Sequence, residues 1–203
     1  MLLKSFKGVV GELETYTNTY VVYDEESKEG IIIDVADNAD KLYNYIENLQ
    51  IKLKYVVLTH CHADHTAGLK ELKKYYPNVK IIIHEYDNHG LTDDTINMCS
   101  YIGTEPNFIS ADIVAKDGNE IKFGQTAAKI IHTPGHTAGS VSLLIEDALF
   151  SGDTMFRGTY GRTDLPTGNE FDMRKSLSKL LKLDDNVIVY PGHGATTMIC
   201  DEK

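Results

Sequence analysis

Three histidines and one aspartate crowd into a short stretch of the chain, THCHADHTAG at positions 59–68. Imidazole nitrogens and carboxylate oxygens are the ligands that zinc and similar divalent cations prefer. Titratable groups held this close together would be costly to bury without a counter-charge. The stretch therefore predicts a metal site. The alternative is a chance cluster of histidines in the first turn of a helix.

The geometry of the strand before this stretch predicts which side chains converge. Positions 55–58 are apolar, and in an extended chain alternate side chains point to the same side. If the chain stays extended, the converging residues are His60, His62 and Asp64, with His65 following where the chain turns. Cys61 then points away and is interpreted as packing beside the site.

Three later positions repeat one local design, in which an apolar strand and a glycine precede a histidine or an aspartate. They are His136 in TPGHT, Asp153 in SGDT and His193 in PGHG. Loops at strand ends are common places for functional residues, and a glycine lets the backbone approach a metal closely. These residues are therefore candidate ligands together with the first cluster.

Apolar or alternating runs bounded by polar turns predict the strands that lead into these loops. The predicted strands are 2–6, 19–23, 30–34, 55–58, 80–84, 119–123, 127–132, 140–145, 148–151 and 186–190. Helical spacing predicts helices over 37–50, 69–76 and 170–181, and the segment 85–108 is expected to combine helix and loop. Two strand-rich halves, each with helices, indicate an α/β protein in which two sheets pack face to face.

Three further polar residues lie close to predicted strands. Asp34 ends its strand and has two open roles, as a carboxylate behind a metal-bound histidine or as a cap or turn residue. His84 and His89 are interpreted as structural or solvated, and no chemistry is assigned to them.

Composition excludes several classes of protein. The net charge is −10, from 30 acidic and 20 basic residues, which disfavours a nucleic-acid partner. No apolar run approaches the roughly 20 residues that span a bilayer, so a membrane partner is not expected and the expected location is cytoplasmic. The odd number of cysteines, three, argues against a disulfide framework. At 203 residues, the chain is expected to form a single domain over 1–203, and its oligomeric state stays open.

The order of motifs, HxHxDH followed by TPGHT, SGDT and PGHG, resembles the metallo-β-lactamase superfamily over essentially the whole chain. GRTDLPTG at 161–168 and the later PGHGATT resemble the short glyoxalase II-like hydrolases. This resemblance implies an αββα sandwich, in which two mixed sheets carry helices on their outer faces and the active site lies in a cleft at one end.

The resemblance also implies the ligands and the reaction. Two divalent ions are implied, with zinc expected first and iron or manganese as alternatives. One ion would be held by His60, His62 and His136, the second by Asp64, His65 and His193, and Asp153 would bridge them. A hydroxide between the metals would attack the carbonyl of a small thioester or ester, with Asp64 as the catalytic residue that positions the nucleophile and moves its proton.

Some positions depart from related branches. Asp153 and His65 stand where the penicillin-hydrolysing branch commonly carries cysteine and a non-ligand residue, so β-lactam hydrolysis is not expected. Full-length glyoxalase II enzymes add a C-terminal helical domain and a tyrosine after the last histidine. This sequence ends at Lys203 and has Gly194 after His193, so the resemblance does not extend to their glutathione-binding part.

Two residues near the GRTD segment are candidate substrate contacts. Arg162 presents a fork of donors suited to a carboxylate, although pairing with Asp164 is an equal alternative. Tyr160 either lines the cleft or packs beside it. A second function remains open, because persulfide dioxygenases share HxHxDH and a GRTD segment; their single ferrous iron would be held here by His60, His136 and Asp153.

Overall fold

The computed structural model describes residues 1–37, 39–106 and 108–203. The strands in these residues are β1 Leu2–Val10, β2 Thr15–Tyr23, β3 Glu29–Ile33, β4 Lys52–Val57, β5 Lys80–His84, β6 Ile113–Ala115, β7 Glu120–Phe123, β8 Thr126–His132, β9 Val141–Ile145, β10 Ala148–Gly152, β11 Ile188–Pro191 and β12 Thr197–Met198. The helices are α1 Ala39–Asn48, α2 Ala63–Thr66, α3 Leu69–Tyr75, α4 Asp94–Asn97, α5 Cys99–Ile102 and α6 Glu170–Leu180. None of the described helices is long and apolar enough to cross a bilayer.

The strands form two six-stranded sheets, both mixed. The first sheet has the order β1-β2-β3-β4-β5-β6, antiparallel from β1 to β3 and parallel from β3 to β6. The second has the order β12-β11-β10-β9-β8-β7 and is antiparallel except between β10 and β11. Parallel strands are typically covered on both faces, which explains the continuous Ile31–Ile33 run in β3.

Alternation along the strands divides the apolar residues among three layers. Ile31 and Ile33 face the second sheet and pack with Phe123, Leu143 and other residues between the sheets. Ile32 faces the other way, into a core beneath α1 and α3, and a third core lies beneath α6. Burying one such side chain stabilises the fold by about 1.5–3 kcal/mol. The αββα sandwich is confirmed.

The described elements differ from the predictions at a few positions. The strands β6 and β12 were not predicted, because they are short and β6 leaves Ile113 and Val114 exposed. The alternation expected beyond His62 was wrong at Asp64, because α2 begins at Ala63. The helical turn sends Asp64 towards His65 and His193 instead of towards His60.

Loops from both sheets meet at one end of the sandwich. The loop after β4 is joined to β9 by the hydrogen bond from Val141 N to Thr59 O (2.9 Å). The loop after β11 is joined to β2 by the bond from Asn18 N to Gly192 O (2.7 Å). Backbone bonds between the sheets therefore set the distance between the loops that carry the candidate ligands.

Candidate metal centre

Seven candidate ligands, from four separate parts of the chain, come together at this end of the sandwich. His60, His62 and His136 offer ligand atoms within 4.8 Å of one another, and we call them the first half. Asp64, His65 and His193 form a second group of the same kind, the second half. The sequence had no local signal that would pair His136 with one group and His193 with the other; only the motif resemblance grouped them in this way.

Asp153 lies between the two halves. Its Oδ2 is 3.5 Å from His136 Nε2 in the first half and 3.2 Å from His193 Nε2 in the second. Its Oδ1 is 3.4 Å from His65 Nε2. One carboxylate therefore faces imidazole nitrogens of both halves, as a bridging ligand must.

Outer hydrogen bonds set the tautomers of three histidines. The Nδ1 atoms of His65, His136 and His193 each lie 2.7 Å from an oxygen that only accepts, namely Asp34 Oδ2, Arg162 O and Tyr16 O. Each Nδ1 must therefore carry the proton, which leaves Nε2 with a free lone pair in the neutral ring. This arrangement is typical of metal-binding histidines.

Asp34 holds one ligand in each half. Its buried carboxylate accepts from His65 Nδ1, from Thr59 N (2.8 Å) and from Thr59 Oγ1 (2.8 Å). The Thr59 hydroxyl donates its proton to Asp34. The same hydroxyl oxygen therefore accepts a hydrogen bond from His60 Nδ1 at 3.0 Å. The sequence left two roles open for Asp34, as a carboxylate behind a metal-bound histidine or as a cap or turn residue. The structure shows the first kind of contact, because Asp34 bonds to the candidate ligand His65.

Asp87 joins two of the ligand loops. This fully buried carboxylate accepts from Cys61 N (3.0 Å) in the first loop and from Thr137 Oγ1 (2.7 Å) and Gly139 N (2.7 Å) in the second. It thereby fixes the loop of His60 and His62 relative to the loop of His136. Cys61 itself is buried and belongs to no group of candidate ligands among the described residues.

The two halves differ in charge. Burial and the neighbouring His65 keep the pKa of His60 well below its ordinary value, and burial and His136 lower the pKa of His62 to about 3. In the second half, burial alone would lower the pKa values of the histidines. The carboxylates outweigh this effect: Asp64 and Asp34 hold the pKa of His65 well above its ordinary value, and Asp153 raises that of His193 to about 10.

The carboxylates of the centre remain ionised. Burial raises the pKa of Asp64, but His65 and the hydrogen bond from His193 outweigh it and lower that pKa to about 2. Likewise, His193 and His65 hold the pKa of Asp153 well below its ordinary value despite burial. The acidic groups therefore draw positive charge to the second half, which protons supply when no cation is bound.

Unpaired buried atoms test whether a cation fits these residues. His60 Nε2, His62 Nε2 and Asp153 Oδ1 are buried without a hydrogen-bond partner among the described residues. Leaving such an atom unsatisfied costs about 1–3 kcal/mol. A divalent cation would satisfy several of them at once, and nitrogen and oxygen donors suit zinc, iron or manganese. The residues present therefore fit a metal centre.

A cleft of about 390 Å³ opens over the centre. Of the two candidate substrate residues, Arg162 lies at this cleft, with its guanidinium bound to both oxygens of Asp164 (2.7 and 2.8 Å). The part of Arg162 that contacts a candidate ligand is its backbone carbonyl, which accepts a hydrogen bond from His136 Nδ1. Tyr160 is not among the described residues that line the cleft, and its hydroxyl donates to Glu170 at the start of α6 (3.2 Å).

Sequence reasoning missed several residues that the site uses. Asp87 and Thr59 support the ligand loops, and Tyr16 contributes only a backbone carbonyl. Asp87 follows β5 by three positions, so the rule that polar residues at strand ends carry function could have found it. The role of Tyr16 could not be predicted in this way, because a backbone carbonyl is present in every residue type.

Comparisons with known proteins agree with this geometry. A sequence model described as the metallo-beta-lactamase superfamily matches residues 13–193. Hydroxyacylglutathione hydrolase GloC of Haemophilus influenzae is 33% identical in a 192-residue alignment that covers 92% of this chain and 89% of that relative. A crystal structure described as BLEG-1 B3 metallo-beta-lactamase matches with a TM-score of 0.86 and 31% identity, over 99% of this chain and 96% of that chain. ETHE1 from Myxococcus xanthus matches with a TM-score of 0.79 and 28% identity, over 100% of this chain and 81% of that chain.

Proposed function

Because this chain belongs to the metallo-beta-lactamase superfamily of metal-dependent hydrolases, we propose that it hydrolyses a small thioester or ester. The observation that carries the proposal is the convergence of five histidines and two aspartates at the floor of one cleft. The proposed occupants are two divalent cations, one in each half, with zinc expected first and iron or manganese as alternatives. When bound, such cations act as Lewis acids towards a carbonyl oxygen and lower the pKa of water to about 7.

Asp64 is the residue that we propose to handle the proton of the attacking water. Its pKa of about 2 keeps it ionised at neutral pH, so its oxygen can accept a hydrogen bond from the attacking water and take up the proton as the water adds to the carbonyl. Thr17 Oγ1 donates to its Oδ2 at 3.1 Å and orients the carboxylate. Asp64 also lines the cleft, where a substrate carbonyl would enter.

The reaction balances without a further reactant. The oxygen of water forms a bond to the acyl carbon, the carbon–sulfur or carbon–oxygen bond breaks, and a carboxylic acid and a thiol or alcohol leave. Asp64 takes one proton from the water and returns it to the leaving group. Because a thiolate is a better leaving group than an alkoxide, thioesters are the preferred substrates.

The test is a comparison of substrates on the metal-loaded chain, with an acyl thioester, an oxygen ester and a chromogenic β-lactam. Thioester cleavage is expected to be the fastest, and Asp64→Asn is expected to lower kcat by roughly 10²–10⁴-fold, the usual contribution of a general base. Asp201→Asn, a change of the same type at an exposed position, is the control and should leave kcat unchanged. No thioester cleavage, or β-lactam cleavage alone, would overturn the proposal.

The second candidate is persulfide oxidation, favoured by the structural likeness to ETHE1, a persulfide dioxygenase. It needs one ferrous iron on His60, His136 and Asp153, with open coordination positions. The second half would then have no ligand role, although Asp34 and Thr17 orient two of its members. Oxygen uptake with glutathione persulfide, and no thioester cleavage under anaerobic conditions, would favour this alternative.

A further inference from the structure

The wall of the cleft beside the metal centre is largely hydrocarbon. Leu13 lines it from the turn between β1 and β2, and Met98 and Ile102 line it from the α4–α5 segment. Phe156 lines it from the loop after β10, and its ring lies 5.9 Å from the ring of His193. Apolar surface therefore begins directly beside a proposed ligand and continues to the mouth of the cleft.

Two of the polar side chains at this wall, those of Asn97 and Arg162, already have partners. Asn97 donates to Gly90 O (2.9 Å) and accepts from Cys99 N (3.1 Å), so its amide is used within the fold. Arg162 is paired with both oxygens of Asp164. Among the described residues that line the cleft, Arg162 is the one cationic side chain apart from the histidines. An anionic group on a substrate would find no uncommitted cation at this wall, in a chain of net charge −10.

Met98 has an unusual backbone conformation for its residue type. It ends α4 and precedes α5 with φ 66° and ψ 21°, in the left-handed region that glycine adopts freely and side chains with a Cβ rarely do. A methionine at this position presents a long, flexible and apolar side chain to the cleft. Such side chains adapt to ligands of irregular shape.

We propose that this wall binds the uncharged hydrocarbon chain of an acyl thioester, with Met98 as a specificity-determining residue. The proposal rests on the proposed hydrolase function and names its substrate class. It commits to the acyl side of the scissile bond: the acyl chain lies against Leu13, Met98 and Phe156, and the thiol leaves towards solvent. Thioesters whose acyl group ends in a carboxylate are then poor substrates.

The first experiment holds the thiol constant and varies the acyl group. Acetyl, propionyl and pentanoyl thioesters of N-acetylcysteamine are given to the metal-loaded enzyme, together with the glutaryl thioester, in which a carboxylate replaces the terminal methyl of pentanoyl. We expect kcat/KM to rise by roughly two- to fourfold for each added methylene, as expected for burial of that group. The glutaryl thioester is expected to be at least tenfold poorer than the pentanoyl thioester.

The second experiment changes the wall. Met98→Gly suits the local backbone, so the variant should fold, and Met98→Gln keeps the length of the side chain but makes it polar. Both variants are expected to flatten the dependence of kcat/KM on acyl length. Phe171→Ala, an exposed position on α6 that does not line the cleft, is the matched control.

A binding measurement gives a readout apart from turnover. S-pentyl-N-acetylcysteamine, a thioether that cannot be hydrolysed, is titrated calorimetrically into the parent and the Met98 variants, and weaker binding to the variants is expected. A flat acyl-length series or a preference for the glutaryl thioester would overturn this inference while the hydrolase function stands. If no thioester is cleaved at all, the function itself fails.

Discussion

The two halves of the metal centre differ in support, charge and exposure. Asp34 bonds directly to His65 of the second half and reaches His60 of the first through Thr59, whereas Asp87 bonds only to the loops of the first half. Each half also has a histidine held by a backbone carbonyl. The first half consists of three buried imidazoles. The second includes a carboxylate, and its His193 side chain is 26% exposed.

This difference suggests different roles for the two halves: the first retains a cation, and the second meets water and substrate. The first half is an enclosed set of three imidazoles without a carboxylate, which suits a cation that stays in place. Both halves line the cleft, but the second combines a carboxylate with more exposed side chains, so water and substrate reach it more readily. We therefore expect a chelator to remove a cation from the second half before it removes one from the first.

The largest effect is expected from Asp153→Ala, because Asp153 faces both halves. The variant should lose metal from each half, and its turnover should fall by more than the 10–100-fold typical of changes behind the ligands. Metal content by mass spectrometry and thioester turnover are the measurements. Full thioesterase activity in a metal-free Asp153→Ala protein would show that the two halves are not joined through this residue.

A pair of glycine variants should perturb the halves separately. A Cβ at Gly192 would overlap Asp153 Oδ1 and come within 2.6 Å of His65 Cε1, whereas a Cβ at Gly139 would lie 2.5 Å from Asp87 Oδ1. Overpacking of this kind typically costs about 1–3 kcal/mol. Gly192→Ala is expected to lower metal binding most in the second half, with a smaller effect on the first through Asp153, and Gly139→Ala is expected to weaken metal binding mainly in the first half.

The measurement for this pair is the metal content of each purified variant after dialysis against a weak chelator. Each variant is the control for the other, because both add one methyl group beside a buried carboxylate. Equal losses from both halves in both variants would contradict the separation.

The smallest effect concerns a histidine pair outside the centre. His84 stacks on His132 at 4.1 Å, and neither belongs to a ligand group among the described residues. Burial, followed by the charge of His132, lowers the pKa of His84 to about 4. An unfolded histidine titrates near 6.5, so the unfolded chain binds this proton more readily, and stability is full above about pH 6.5 and falls from there towards pH 4.

His84→Asn keeps an acceptor for the Tyr86 amide and removes this titration. Between pH 7 and pH 5 the parent is therefore expected to lose more free energy of unfolding than the variant, by on the order of 1 kcal/mol. Denaturant unfolding at both pH values measures this difference in free energy of unfolding. Titration of the metal centre cancels, because the parent and the variant share that centre. Equal losses would mean that the pKa of His84 is not lowered in the folded chain.

The elements that position the site were largely predictable. The strand Lys80–His84 matches its predicted range because a continuous apolar run between polar residues has few alternatives. The short strand Ile113–Ala115 was missed because its pairing with β5, and not its composition, makes it a strand. The orientation of Asp64 was wrong for a similar reason, since helix α2 replaces the extended chain after His62.

The candidate ligands and their surroundings differ in what the sequence reveals. His136, Asp153 and His193 each follow a glycine at a strand end, so their types and positions marked them. Their grouping depends on how two sheets pack, which no local spacing encodes, and it came from the motif resemblance. The supporting contacts of Asp87 and of the Arg162 carbonyl arise only in the folded chain.

The most direct test of the account is to locate the metal ions by anomalous diffraction from crystals of protein purified without added metal, together with the metal content per chain. The account predicts two ions, one bound by His60, His62 and His136 and the other by Asp64, His65 and His193, with Asp153 bound to both. A single ion on His60, His136 and Asp153, with Asp64 and His65 unbound, would contradict it.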